Sequence, residues 1–123
     1  MARVLVVDDD PAVRELVAEF LAARGHEVFR ATNGAEAREV LDQAPHGTVA
    51  VDLVVTDLQM PVLDGLALLA HVRANAKAIP VIVVSGSWTT DQRQRAWELG
   101  AARVLGKPVD LAQLAHYVED LAR

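Results

Sequence analysis

The sequence predicts an α/β protein: a doubly wound (βα)5 sandwich built on a five-stranded parallel sheet. Three observations predict it. Short β-branched runs alternate five times with longer stretches of helical periodicity. The runs Val4–Val7, Leu53–Thr56 and Val81–Val84 read as continuous rather than alternating apolar segments, the pattern of strands covered on both faces. No Ser/Gly run, charge block or repeat separates the segments, so no linker is expected. Right-handed crossovers then place helices on both sides of the sheet. The strand order 2-1-3-4-5 leaves the three most apolar strands in the middle.

The elements follow in order along the chain. After Val4–Val7, Asp10 suits a helix N-cap and Pro11 the first helical position. Val13, Leu16, Val17, Phe20 and Leu21 share one face of that helix, and Gly25 closes it. Val28 to Thr32 is a weaker strand, expected at an edge. Asn33-Gly34 starts a second helix with Ala37, Val40 and Leu41 turned inward. Ala44 to Asp52, marked by Pro45 and Gly47, reads as a loop with a tolerated insertion. Leu53–Thr56 is the third strand, Gln59–Gly65 a turn, and Leu66, Leu69 and Ala70 define the third helix. Pro80 opens the fourth strand and Gly86 ends it. A polar helix from Thr90 to Leu99, closed by Gly100, has Trp97 as its expected core anchor and Asp91–Arg95 as its solvated face. Ala102 to Leu105 is the fifth strand. Asp110, with Gln113 three residues on, caps a last helix that buries Leu111, Leu114, Ala115 and Val118.

Composition narrows the function. The 123 residues fit one domain, expected to span 1–123 and to leave no room for a second. The absence of cysteine excludes zinc fingers, iron–sulfur clusters and thiol catalysis, and suits a reducing compartment, here expected to be the cytoplasm. A net charge of −5 argues against a sequence-independent grip on nucleic acid. No apolar run approaches the ~20 residues of a membrane span, and the four-residue run after Arg3 is too short for a signal peptide. His26, His46, His71 and His116 are scattered, so they are expected at the surface rather than around a metal.

In doubly wound sheets ligands bind outside the carboxyl ends of the strands. The first strand ends in Asp8-Asp9-Asp10, the third in Asp57, the fourth in Ser85-Gly86 and the fifth in Gly106-Lys107-Pro108. One sheet edge thus presents carboxylates, a hydroxyl and an ammonium. Two carboxylates ~5 Å apart repel by about 3 kcal/mol at an effective dielectric near 20. A hard divalent cation relieves that repulsion, and an oxygen-ligated, water-retaining site suits Mg²⁺. The cation also lets a phosphate approach, with Lys107 and Ser85 as further partners for its oxygens. Such a set is equipped for phosphoryl transfer, and a carboxylate can be the acceptor.

These residues resemble the receiver domain of two-component response regulators. The resemblance rests on Val6-Val7-Asp8-Asp9-Asp10, on Thr56 to Gly65 (TDLQMPVLDG), on Val83-Val84-Ser85-Gly86 and on Gly106-Lys107-Pro108. It spans essentially the whole chain and implies a flavodoxin-like fold whose strand order is the 2-1-3-4-5 already chosen. It implies that Asp57 accepts a phosphoryl group from a sensor histidine kinase or phosphotransfer protein. Asp8 and Asp9 would be the Mg²⁺-binding pair, with Asp57 and the Gln59 backbone carbonyl as further ligands. Ser85 and Lys107 would engage the phosphoryl group, and Lys107-Pro108 would be a cis peptide. Pro61 and Gly65 would shape the loop after Asp57, with Asp64 in its turn. Phosphorylation would switch a surface on the fourth helix, fifth strand and fifth helix that meets a downstream effector, with no direct contact to nucleic acid or membrane. The domain would catalyse only its own phosphorylation and dephosphorylation.

Two departures stand out. The family usually carries an aromatic three residues before the lysine, and here Val104 stands there. Signalling is therefore expected to run through the loop from Ser85 to Thr90, with Trp88 reorienting. The resemblance also implies that Gln59 and Ser87 occupy the positions that tune hydrolysis of the acyl phosphate, and neither is charged, so measurable self-dephosphorylation is expected. A hydrolase resembling the haloacid dehalogenase group would need an Asp where Gln59 stands. A mononucleotide-binding protein would not place an Asp triplet after its first strand.

Overall fold

The computed structural model describes residues 2–43, 51–60, 62–75 and 79–122. Strands and helices alternate: β1 (Arg3–Val7), α1 (Pro11–Ala23), β2 (Glu27–Ala31), α2 (Gly34–Gln43), β3 (Leu53–Asp57), α3 (Gly65–Asn75), β4 (Val81–Ser85), α4 (Thr90–Glu98), β5 (Arg103–Gly106) and α5 (Leu111–Leu121). All pairings are parallel, and the order is β2-β1-β3-β4-β5. The expected topology holds. β1, β3 and β4 are buried along nearly their whole length, whereas β2 at the edge is buried only at Ala31.

Alternate strand residues feed two cores. Val4, Val6, Leu53, Val55, Ile82 and Val84 pack against Val17 and Leu21 of α1 and Leu114, Ala115 and Val118 of α5. On the other face Leu5, Val7, Val54, Val81 and Val83 meet α2, α3 and α4. This is the period-two alternation of a strand with two buried faces.

The helix starts behave as read. Asp10 accepts from the amides of Ala12 (2.9 Å) and Val13 (3.5 Å), with Pro11 at the first helical position. Asp110 accepts from the Gln113 amide at 3.0 Å. Two further caps are reciprocal. Thr89 and Gln92 form a full capping box on α4. At α2, Asn33 accepts from the Glu36 amide and the Glu36 carboxylate from the Thr32 amide, both at 2.9 Å. Gly25 and Gly100 end their helices with φ of +93° and +91°.

Several expectations need correction. Trp97 is half exposed rather than a core anchor; α4 meets the sheet through Ala96. Leu16 is likewise mostly exposed. α3 buries Gly65, Leu68, Leu69 and Val72, whereas Leu66 and Ala70 are only half-buried, as is Leu111 in α5. His26 is buried rather than at the surface: its Nδ1 accepts from the Ala2 amide and its Nε2 faces Glu119 at 3.3 Å. His46, Pro61 and the loop from Ala44 to Ala50 lie outside the described residues. Of that loop's end, Asp52 accepts from the Arg3 amide at 2.8 Å.

Candidate functional site

Asp8 follows directly on β1 and Asp57 ends β3, neighbouring strands in the sheet, so their carboxylates meet at one edge. One oxygen each from Asp8, Asp9 and Asp57 lies within 4.8 Å of the others. Asp8 and Asp57 are buried and Asp9 is exposed, so the group opens to solvent on one side. Lys107, just after β5, reaches across β4: its Nζ lies 3.1 Å from Asp8 Oδ2 and 3.4 Å from Asp57 Oδ2.

The charges are unequally balanced. Burial, then the neighbouring Asp8 carboxylate, pushes the Asp57 carboxyl above its ordinary range; Lys107 and the Gln59 backbone N–H offset this only in part. Burial works against the Lys107 ammonium, but its hydrogen bonds to and attraction by Asp8 and Asp57 prevail and raise its pKa. Three carboxylates and one close ammonium therefore leave a net negative, oxygen-rich group that suits a hard divalent cation.

The other candidates take their places around this centre. Ser85 ends β4 at the same edge, but its hydroxyl is committed to its own loop. It donates to the Ser87 carbonyl at 2.9 Å and accepts from the Ser87 amide at 3.1 Å. Gln59 is exposed beside an open hollow of about 430 Å³ bordered by Asp9, Met60, Leu66 and Gln92. Asp64 caps α3, accepting from the Ala67 amide at 2.8 Å. Gly65 is required by proximity: a Cβ there would overlap the Asp57 carbonyl oxygen and stand 2.9 Å from Leu58 Cα. Val62, exposed in the same loop, has a φ of 72°, a strained conformation for a β-branched residue. Lys107-Pro108 is cis, as expected.

One residue escaped the sequence reading. Arg14, on the first turns of α1, donates from Nη1 to the Asp8 backbone carbonyl at 3.1 Å. Trp88, expected to reorient, is half-buried, and its indole N–H donates to the Leu105 carbonyl of β5 at 2.8 Å. The Arg93 guanidinium lies 5.4 Å from the Trp88 ring centre. Trp88 and Val104 pack against the same apolar cluster.

Fold and site together define a class: a doubly wound domain with an acidic, lysine-bridged cluster at the carboxyl edge of its sheet. The chain belongs to the response regulator receiver domain family, whose sequence profile matches residues 4–119. It is 40% identical over 122 residues to the transcriptional regulatory protein PrrA of Mycobacterium tuberculosis, covering 98% of this chain and 50% of that one. It is 35% identical over 111 residues to the sensor histidine kinase RcsC of Salmonella typhi, covering 90% of this chain and 11% of the kinase. A solved response regulator receiver protein from Pseudomonas putida superposes with a TM-score of 0.87 at 35% identity, covering 97% of this chain and 96% of that one. The chain spans about half the length of PrrA and of the transcriptional regulatory protein AruR of Pseudomonas aeruginosa, and about a quarter of GlrR of Escherichia coli. Among the described residues, no helix is long and apolar enough to cross a membrane.

Proposed function

We propose that this domain accepts a phosphoryl group on Asp57 from the phosphohistidine of a sensor kinase or phosphotransfer protein. The observation that carries it is the convergence of the Asp8, Asp9 and Asp57 carboxylates, with Lys107 Nζ between Asp8 and Asp57. Asp8, Asp9, Asp57 and the Gln59 backbone carbonyl would hold Mg²⁺, which supplies charge neutralisation between carboxylates and phosphoryl oxygens. An Asp57 carboxylate oxygen attacks phosphorus, the P–N bond breaks, and the imidazole leaves. Lys107 moves its ammonium from the carboxylates to a phosphoryl oxygen, and Ser85 gives up the Ser87 carbonyl to donate to another. Hydrolysis of the acyl phosphate by water resets the domain. Gln59 and Ser87 are uncharged and Ser87 is small, which leaves that water access. Effector contact is assigned to the face of α4, β5 and α5, and the domain to the cytoplasm.

Incubation with Mg²⁺ and acetyl phosphate, read by intact mass, tests the assignment. Wild type should gain one phosphoryl mass and Asp57→Asn should not. An adduct undiminished in the variant would overturn it, as would no adduct on wild type.

A further inference from the structure

Asp9 poses a question of placement. Its carboxylate belongs to the acidic group, yet among the described residues no hydrogen bond or ion pair holds that side chain, and it is exposed. Its direction must therefore come from the backbone on either side. Both flanking peptide units are clamped. The Asp8 carbonyl, in the unit before Asp9, accepts from Arg14 Nη1 at 3.1 Å. The Asp10 amide, in the unit after it, donates to Asp8 Oδ1 at 2.9 Å. Because a peptide unit is planar, holding one atom of each unit restricts both dihedrals at Asp9.

The clamp is anchored. The Arg14 side chain is only 16% exposed, and its Nε approaches Glu15 at 3.4 Å. Glu15 in turn accepts from Arg30 of β2 at 2.9 Å. The Arg14 amide bonds the Asp10 carbonyl at 2.9 Å in the first turn of α1. The residue therefore sits on a rigid element and reaches back to the loop that presents the acidic pair.

We infer that Arg14 is a positioning residue for the cation site: its hydrogen bond to the Asp8 carbonyl aims Asp9 at the metal. This rests on the reading of Asp8, Asp9 and Asp57 as Mg²⁺ ligands. It also makes a prediction of unusual sign. Arg14 is itself a cation near the site, so as a mere charge it would repel Mg²⁺, and its removal would tighten binding. As a clamp, its removal weakens binding.

The test is calorimetric titration of Mg²⁺ into wild type, Arg14→Met and Arg14→Lys. Methionine keeps most of the apolar stem and removes the guanidinium. Loss of a partner that orients a ligand costs about 10-fold in metal affinity. Arg14→Met should show that loss, and Arg14→Lys, which retains a donor and the charge, should recover part of it. In an Asp9→Asn background Arg14→Met should have little further effect. Thermal unfolding in EDTA reports whether the variants fold, and Arg14→Gln replaces Arg14→Met if the latter does not. Binding as tight as wild type or tighter in the charge-removed variant would overturn the inference, as would a full loss that persists in Asp9→Asn. Wild type that takes up no Mg²⁺ would instead sink the metal-site reading beneath it.

Discussion

At the residue scale, the centre of this domain holds charge against a gradient. Asp57 is buried beside Asp8, which raises its pKa above the ordinary 3.8, and Lys107 offsets this only in part. A carboxyl whose folded pKa is raised binds its proton more tightly in the native state. Ionisation therefore subtracts stability as pH rises through the unfolded value, and the whole penalty is present above the folded pKa. Asp57→Asn should stabilise the metal-free protein at pH 7 and raise its Tm. The gap should narrow as pH falls toward 4. An Asn that lowers Tm at pH 7 would show that Lys107 outweighs burial. The same imbalance is what a bound divalent cation relieves, so function and instability share one cause.

At the scale of elements, the loop from β4 to α4 joins two contacts three residues apart. Ser85 holds Ser87, and Trp88 holds Leu105 of β5. If Ser85 releases Ser87 for a phosphoryl oxygen, the Trp88 contact must adjust. With Mg²⁺ and beryllofluoride, a Trp97→Phe protein should show Trp88 emission moving to longer wavelength as the indole meets water. Unchanged emission would mean the loop rearranges without Trp88.

How far the elements were legible differs by cause. Strand and helix starts were readable to within a residue, because apolar runs and the caps of α1 and α5 are local signals. Asp8, Asp57, Ser85 and Lys107 were readable as a set because each ends a strand, or follows one, in a sheet of known sense. Which helix face is inward was less so. α3 carries apolar residues on most of its circumference, and its sequence does not choose Leu68 and Val72 over Leu66 and Ala70. Trp97 looked like an anchor because it is large and apolar, but α4 lies so that Ala96 fills the contact. Arg14 and Trp88 donate to backbone carbonyls, and no residue-type pattern marks those contacts.

At the scale of the whole molecule, the amino-terminal end of the sheet is tied by contacts distant in sequence. Glu119 on α5 takes two hydrogen bonds from Arg24 (2.9 and 3.0 Å) and faces His26, which holds the Ala2 amide. The buried His26 was unreadable from sequence because its partners lie 24 and 93 residues away. The Arg24 hydrogen bonds, then His26, hold the Glu119 carboxyl down to about 2. A depressed carboxyl pKa contributes stability that is fully present above the unfolded value of about 4.5 and is lost as pH falls through about 2. Urea unfolding should therefore find wild type more stable than Glu119→Gln at pH 5. The gap should close between pH 4.5 and 2 and shrink with added salt. A gap independent of pH would assign the effect to packing instead.

The Trp88 hydrogen bond has a second consequence. β5 is the last strand of an open sheet, and unpaired edge groups invite another chain to add a strand. The Leu105 carbonyl accepts the Trp88 indole N–H. One side chain thus ties up an acceptor on the edge strand, and a domain that releases Trp88 would also free that acceptor.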